Sequence, residues 1–384
     1  MSNLQTRYPA QARLLIPLRQ RLMAVSCLAC GVVLLAELPA AVAAAPASEH
    51  AFVAPLHYVC YRATHAVKVD GRINDPDWNT AAWTADFVDI EGDLKPRPRL
   101  RTRIKMLWDN RYFYIAAELL EPHVWGTLTK HDSVIFHDND FEVFIDPDGD
   151  NHNYGELEVN ALNTTWDLKL PRPYKDGGKA DNSWELEGLK TAVHVQGTLN
   201  DPRDTDQGWT LELAIPWRDL QTLSQAATPP RNGDQWRVNF SRVEWMHQIQ
   251  DGKYRKLAGR REDNWVWTPQ WTINMHRPET WGYVQFSDAA ARNTRYQPDS
   301  AGAIKHLLHR VYYAQRRFQS QHKRPAASLS ALKLSNLAHP DLASPLQLTL
   351  QENRFRVSAT VRDANNTLQL WQIEHDSRLW KAAP

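Results

Sequence analysis

The chain has 384 residues, of which 42% are hydrophobic, and a formal net charge of +1 at pH 7. This length suits one large domain or two ordinary ones, and the balanced charge gives no reason to expect a nucleic acid or an acidic surface as partner. The 16 tryptophans favour a thick all-β core or exposed stacking platforms.

The first 45 residues have the layout of a secretory signal peptide. Several arginines precede an apolar run at residues 22–36, and small residues at 41–43 supply a cleavage site. Glu37 ends the apolar run too early for a membrane span, which needs roughly 20 apolar residues. We therefore expect export to the periplasm or the extracellular space, with no membrane span after cleavage. Residues 46–66 are then interpreted as a leader strand and linker.

Residues 67–287 predict a β-rich domain. They consist of short alternating segments broken by Gly, Pro, Asp and Asn, which is the pattern of an all-β sandwich or barrel. The predicted strand segments are residues 101–122, with two strands around an Asp-Asn turn, then 137–160, 209–216, 234–245 and 281–286. We expect an antiparallel β-sandwich.

The segment 137–160 predicts a hairpin whose two faces differ. Successive side chains of a strand point to opposite faces. One face is apolar and is predicted to lie in the core, with Phe141, Val143, Ile145, Leu157, Val159 and Ala161. The other face carries residue types that are depleted from strands, namely Glu142, Glu156, Glu158 and Asn160. Such a row of acceptors is either a solvated face or a binding surface.

Residues 288–384 predict a C-terminal α+β appendage with a helix and a small sheet. Apolar residues recur at helical spacing between Ile304 and Phe318, with Asp299 or Ser300 as cap and Pro325 as stop. Alternating segments that resemble strands follow this helix. The sequence does not identify a partner for the appendage.

Five motifs occur in the order found in family 9 carbohydrate-binding modules. They are VDGRINDPDWNTAAW, MLWDNRYFYIAAELLEP, NDFEVFIDPDGD, WTLELAIPWRDL and WGYVQF. The part of the chain that resembles this family is residues 67–287. The resemblance implies a β-sandwich of the DOMON-like group, extracellular binding of a polysaccharide or oligosaccharide, and structural calcium. It implies no catalytic residues in the module.

A sugar site needs aromatic faces for the ring and fixed polar groups for its hydroxyls. Glu142 matches the family's glutamate that contacts sugar hydroxyls. The family's two facing tryptophans are absent, since their places fall on Phe136 and on Met275-His276. We therefore expect Phe136 and Trp271 to stack on the sugar. The complete predicted site comprises Phe136, Glu142, Glu158, Asn160, Asn239, Ser241, Trp271, Asn274, His276 and Arg277.

The turn at residues 146–153 is a candidate calcium site. Several oxygen ligands within one loop suit a hard cation, and the candidate ligands are Asp146, Asp148, Asp150 and Asn153. Asp, Gly and Asn also form turns without a metal, so both interpretations stay open.

Two other functions remain open. A glycosidase needs paired carboxylates roughly 5 to 9 Å apart, and Glu142 with Glu158 on adjacent strands can meet that spacing. The DOMON-like group also includes exported haem-binding subunits, and Met275 with His276 lies in a loop that would close a haem pocket. Release of reducing sugar would reveal a glycosidase, and a Soret band would reveal a haem-binding subunit.

Overall fold

The computed structural model describes residues 52–290, 292–363 and 366–382. The predicted signal peptide at residues 1–45 lies outside the described residues. The strands are β1 His57–Arg62, β2 Val88–Asp89, β3 Thr102–Trp108, β4 Tyr112–Leu120, β5 Asp140–Asp146, β6 Tyr154–Asn160, β7 Thr165–Leu170, β8 Lys190–Gln196, β9 Gly208–Pro216, β10 Gln235–Glu244, β11 His247–Gln250, β12 Lys253–Lys256, β13 Asp263–Val266, β14 Gly282–Ser287, β15 Gln347–Gln351, β16 Arg354–Arg362, β17 Leu368–Glu374 and β18 Leu379–Ala382. The α-helices are α1 Pro76–Thr80, α2 Trp217–Leu220 and α3 Gly302–His322.

One large sheet forms the main part of the fold. Its strand order is β7-β6-β5-β10-β14-β1-β3-β4-β9-β8, and β13 and β2 extend from β10. Most neighbours are antiparallel, but β1 runs parallel to both β14 and β3. Since β1 belongs to the segment predicted as leader strand, that segment joins the middle of the sheet. The curled sheet encloses one apolar core between its two halves.

The apolar rows lie in this core as the alternation predicts. Phe141 and Val143 of β5 and Val159 of β6 are buried there together with Leu211 and Leu213 of β9. Large indoles complete the interior, where the buried tryptophans include Trp209, Trp217, Trp236, Trp265 and Trp267. The predicted β-sandwich-like fold is therefore confirmed, and core filling accounts for much of the high tryptophan content.

The C-terminal part has the predicted helix and small sheet. Strands β15 to β18 form an antiparallel sheet, and the apolar side of α3 packs on it through Ile304, Leu308 and Val311. The sheet is attached to the β5–β6 turn, because Leu379 N donates to Asp150 O at 3.0 Å. Among the helices that the structure describes, none combines the length and apolar character needed to cross a bilayer.

Candidate functional site

The polar row of the β5–β6 hairpin is buried. Glu142 stands opposite Glu158 of β6 and Ser241 of β10, and Asp140 lies on the same face two residues before Glu142. The exposed fractions are 6% for Glu142, 2% for Glu158 and 0% for Asp140. A solvated face is therefore excluded, and these carboxyl groups require another physical explanation because buried charges are costly without partners.

Three of these carboxyl groups converge. Asp140, Glu142 and Glu158 each place an oxygen within 4.8 Å of the others; we call them the carboxyl cluster. Glu158 accepts a hydrogen bond from the Phe136 amide at 2.9 Å. Asp140 Oδ2 is buried and has no hydrogen-bond partner among the described residues. Within that part of the chain, no lysine or arginine nitrogen lies within 4.0 Å of the cluster's oxygens, so the cluster has unused capacity for hydrogen bonds.

Burial and mutual repulsion change the protonation of the carboxyl cluster. Burial raises the pKa of Glu142 to about 7, and the Ser241 hydroxyl offsets part of this rise. Burial, together with the neighbouring carboxylates, also raises the pKa values of Asp140 and Glu158 well above their ordinary values. The cluster therefore retains protons near neutral pH. A protonated carboxyl group both donates and accepts hydrogen bonds, which matches the capacity of a hydroxyl group.

Aromatic rings border the carboxyl cluster. Trp166 of β7 is half-buried and stands opposite Glu158, and side chains paired in this way are about 5 Å apart at Cβ. Tyr174 is 45% exposed, and burial of its ring with the nearby Glu156 and Glu158 raises its pKa to about 12. Phe136 is half-buried beside Glu158. These rings supply flat faces next to polar groups.

Asp140, Trp166 and Tyr174 were not among the residues predicted for the site. The sequence held a signal for two of them. Asp140 lies two residues before Glu142 and therefore on the same face of the strand, and alternation in residues 165–170 puts Trp166 and Leu168 on one face. No comparable signal exists for Tyr174, which lies in a short 3₁₀ helix after β7. The position of that helix depends on the tertiary fold.

A cationic side chain reaches the edge of the carboxyl cluster from another hairpin. Lys256 of β12 places Nζ 3.5 Å from the centroid of the Trp245 ring, and Trp245 Nε1 donates to the Phe136 carbonyl at 2.8 Å. Burial lowers the pKa of Lys256, while nearby acids, including Asp140, oppose that shift. Lys256 of the hairpin thus adds an ammonium group, and Trp245 before the hairpin adds an indole, to the border of the cluster.

Two of the three predicted asparagines, Asn160 and Asn239, lie near the carboxyl cluster but are engaged elsewhere. Asn160 Nδ2 donates to Leu128 O at 2.8 Å and to Asp138 Oδ2 at 3.0 Å. Asn239 Nδ2 donates to Thr268 O at 2.9 Å, and its Oδ1 accepts from Thr268 N at 3.0 Å. Both amides hold loops in place, because their hydrogen bonds join a strand to a neighbouring segment.

His276 and its neighbours pack in an aromatic cluster beside the polar row. His276 Nδ1 lies 3.0 Å from the Tyr154 hydroxyl, and its ring centroid lies 4.5 Å from that of Tyr174. Burial lowers the pKa of His276 to about 3, with a further contribution from Lys175. Asn274 Oδ1 accepts from the His276 amide at 3.0 Å. Met275, the second residue considered as a haem ligand, packs partly against the same cluster.

Trp271 and Arg277 lie apart from the carboxyl cluster. Arg277 is 3% exposed, and its Nε donates to Tyr313 of α3 at 2.9 Å and to Glu279 at 3.2 Å. Trp271 packs over Gly92, where an added Cβ would lie 3.1 Å from the indole nitrogen. Both side chains line a separate cavity. The structure thus groups Phe136, Glu142, Glu158 and Ser241, and it places Trp271 and Arg277 elsewhere.

The β5–β6 turn brings together the three predicted aspartate ligands of calcium. Asp146, Asp148 and Asp150 each offer an oxygen within 4.8 Å of the others. Burial and the two neighbouring carboxylates raise the pKa of Asp146. Burial and the charge of Asp150 raise the pKa of Asp148 to about 6, while a hydrogen bond with Asp146 opposes that rise. Asn153, the fourth predicted ligand, lies at an exposed position of the same turn. Three converging carboxylates fit the oxygen preference of calcium.

One family model matches most of the β-rich domain. Residues 69–289 match the family described as carbohydrate family 9 binding domain-like. The chain is 16% identical to a family 9 carbohydrate-binding module from Caldicellulosiruptor kristjanssonii in complex with cellotriose, which covers 63% of this chain and 100% of that chain with a TM-score of 0.40. The chain is also 16% identical to the glucose complex of a family 9 module from the same organism. That match covers 61% of this chain and 98% of that chain, with a TM-score of 0.41. No curated protein matches the chain.

Proposed function

Because the chain belongs to the carbohydrate family 9 binding domain-like family, we propose that it binds a polysaccharide or oligosaccharide at the carboxyl cluster. The observation that carries the proposal is the convergence of Asp140, Glu142 and Glu158 within 4.8 Å on the polar face of the sheet. Among the described residues, the buried Oδ2 of Asp140 has no hydrogen-bond partner, and aromatic side chains border the cluster. This combination of polar groups and flat apolar faces is what a sugar ring requires.

The chemistry of the cluster suits hydroxyl groups. A sugar hydroxyl donates to an ionised carboxylate and accepts from a protonated carboxyl group, and a pKa of about 7 for Glu142 makes both forms accessible near neutral pH. The rings of Trp166 and Tyr174 would cover the apolar C–H face of the sugar. Tyr174 is 45% exposed and Glu142 is 6% exposed, so the ring would meet Tyr174 at the surface and reach Glu142 deeper in the site.

The proposal includes export and a non-catalytic role in glycan breakdown or uptake. The signal-peptide pattern at residues 1–45 supports export to the periplasm or the extracellular space. The family resemblance supports a binding module. In this role the domain would hold a glycan close to the proteins that degrade or import it.

The same carboxyl groups favour glycoside hydrolysis as a second candidate function. Glu142 and Glu158 have oxygens within 4.8 Å of each other, and retaining glycosidases place their two carboxyl groups about 5 to 5.5 Å apart. An assay of reducing sugar released from the glycan that binds best separates the two functions. A binding module leaves the amount of reducing sugar at the level of a protein-free control, whereas a hydrolase increases it.

The proposed function is tested by removing one aromatic platform. A glycan array identifies the saccharide that the full chain retains, and isothermal titration calorimetry measures its affinity. Trp166→Ala is expected to weaken binding by about 2- to 10-fold, because an aromatic contact contributes about 0.5–1.5 kcal/mol beyond its buried area. Trp380→Ala, in the C-terminal sheet, is the matched control and should bind like the parent. An empty array, or equal affinities for Trp166→Ala and the parent, would contradict the proposal.

We also propose that Asp146, Asp148 and Asp150 hold a structural calcium ion. Calcium at 100 times its dissociation constant should stabilise the folded protein by about 2.7 kcal/mol, and a chelator should remove this effect. Asp148→Asn should lose most of the stabilisation, whereas Asp86→Asn, at an exposed position, should keep it. Since Asp148 has a pKa of about 6, protons should compete with calcium below that pH. Thermal unfolding measures each effect, and a melting temperature that calcium leaves unchanged would refute the site.

A further inference from the structure

A cavity of about 680 Å³ lies between the β-sandwich and the C-terminal appendage; we call it the junction cavity. Strands β10 and β14 and the loop with Trp271 line one side, and α3, the middle of β17 and the start of β18 line the other. Small-molecule sites typically have volumes of roughly 300–1,000 Å³. The walls from α3, β17 and β18 lie beyond residues 69–289, so this cavity requires a part of the chain that the matched family does not cover.

Arg237 of β10 is a buried cation at the wall of the junction cavity. It is 8% exposed, and its guanidinium lies 4.2 Å from the centroid of the Tyr283 ring. Nε and Nη2 donate to the Pro278 carbonyl at 3.3 and 3.2 Å, but Nη1 is buried without a hydrogen-bond partner among the described residues. In the same part of the chain no carboxylate oxygen lies within 4.0 Å of this guanidinium. A buried guanidinium with a spare donor is a natural partner for a carboxylate.

The appendage contributes a second unused donor. Trp371 of β17 lines the junction cavity, and its buried Nε1 has no hydrogen-bond partner among the residues that the structure describes. Lys305 of α3 lies nearby, with Nζ 4.2 Å from the centroid of the Trp371 ring and 2.8 Å from Asp299 Oδ2. Buried unsatisfied donors cost free energy. A ligand rich in acceptors would therefore satisfy Arg237 Nη1 on one wall and Trp371 Nε1 on the other, and would remove the free-energy cost of leaving these donors unpaired.

The rest of the lining indicates what else the ligand carries. Trp271, Tyr283 and Tyr313 bring aromatic side chains to the cavity, and Asp93 brings a carboxylate. Aromatic faces favour a ring-shaped body. The carboxylate of Asp93 would accept hydrogen bonds from hydroxyl groups and would repel a ligand that carries only negative charge. A ring with one carboxylate and several hydroxyls would accept hydrogen bonds from the unused donors through its carboxylate, and its hydroxyls would donate to the acidic lining.

We propose that the junction cavity binds a sugar acid of mono- or disaccharide size, with its carboxylate paired to Arg237 and its ring against the aromatic lining. Uronic acids are members of this chemical class. The cavity is distinct from the carboxyl cluster, because the buried groups at the cluster are acids whereas the unused groups here are donors. The chain would then recognise two kinds of saccharide, at two sites.

Calorimetric titration of the full chain with D-glucuronate and D-galacturonate tests this inference, with D-glucose and D-galactose as matched neutral sugars. We expect each uronate to bind at least tenfold more tightly than its neutral counterpart. The difference should shrink as salt is added, because ions screen the contribution of Arg237. A uronate that binds no better than its neutral counterpart would overturn the inference.

Two substitutions locate the uronate. Arg237→Met should abolish the preference for the uronate, and Trp371→Phe, which keeps a ring but removes the Nε1 donor, should weaken uronate binding a few-fold. Since Arg237 also holds backbone carbonyls, circular dichroism must show that its variant is folded, and Trp371→Phe provides the test if it is not. Arg203→Met, at an exposed position, should bind uronate like the parent. If the folded Arg237→Met and Trp371→Phe variants bind uronate as tightly as the parent, the junction cavity is excluded as its site. If the parent binds uronate but no neutral saccharide, only the proposed function is contradicted.

Discussion

Replacing Arg242 by methionine is expected to lower the free energy of unfolding by about 3–5 kcal/mol, because buried Glu121 would lose its cationic partner and Glu244 would keep only Arg99. Arg242 is 1% exposed. Its Nη2 donates to Glu121 at 2.6 Å and to Glu244 at 2.8 Å, and its Nη1 donates to the Leu120 carbonyl at 3.0 Å. Burial and the nearby Glu244 already raise the pKa of Glu121. Without the guanidinium, one or both acids would have to take up a proton.

Urea unfolding at pH 7, followed by tryptophan fluorescence, measures the effect of Arg242→Met. The matched control is Arg203→Met, whose ion pair with Asp201 involves an 87% exposed arginine side chain and should contribute less than about 1 kcal/mol. Adding Glu121→Gln and Glu244→Gln to Arg242→Met should recover part of the stability, since no buried charge then lacks a partner. Equal destabilisation by Arg242→Met and Arg203→Met would show that the buried ion pairs of Arg242 contribute no more to stability than an exposed ion pair.

Glu142→Gln is expected to weaken saccharide binding while it stabilises the protein. A hydrogen bond to a charged group contributes about 1.5–3 kcal/mol, so its loss should weaken binding roughly 10- to 150-fold. Calorimetry with the saccharide identified on the array measures this loss. Glu187→Gln, at an exposed position, is the matched control. An affinity equal to that of the parent would remove Glu142 from the saccharide site.

The stabilising effect of Glu142→Gln depends on pH. The folded state raises the pKa of Glu142 from 4.5 to about 7 because the side chain is buried. The folded protein therefore holds this proton more tightly than the unfolded chain. The corresponding stability is present below about pH 4.5 and is lost as the pH rises to about 7. Glutamine does not titrate, so the variant should gain stability relative to the parent across this interval.

Above pH 7 the gain should be on the order of 3 kcal/mol, since each unit of pKa shift corresponds to about 1.4 kcal/mol. Urea unfolding of both proteins at pH 4.5 and pH 8, without saccharide or divalent cations, measures the gain. The exposed control Glu187→Gln should differ little from the parent at either pH. A stability difference between Glu142→Gln and the parent that is the same at both pH values would show that Glu142 does not retain its proton in the folded state.

Local patterns determined much of the fold. Alternation identified which side chains of the β5–β6 hairpin enter the core, as the burial of Phe141 and Val159 confirms. Helical spacing predicted α3, although the helix ends at His322, where Lys323 follows with a φ of 58°, before the predicted stop at Pro325. The order of five motifs identified the family without any knowledge of distant contacts. Each of these features depends on residues that are close in sequence.

Tertiary structure alone decided how the candidate site is assembled. A period of two places Glu142 on the face opposite Phe141 but does not reveal what covers that face. Burial of Glu142 depends on segments that arrive from elsewhere in the chain, such as the 3₁₀ helix at Phe136. The separation of Trp271 and Arg277 from Glu142 has the same origin, because α3 draws Arg277 towards Tyr313. Sequence order therefore determined the faces of individual strands, whereas non-local packing decided which faces meet and which of their polar groups remain without partners.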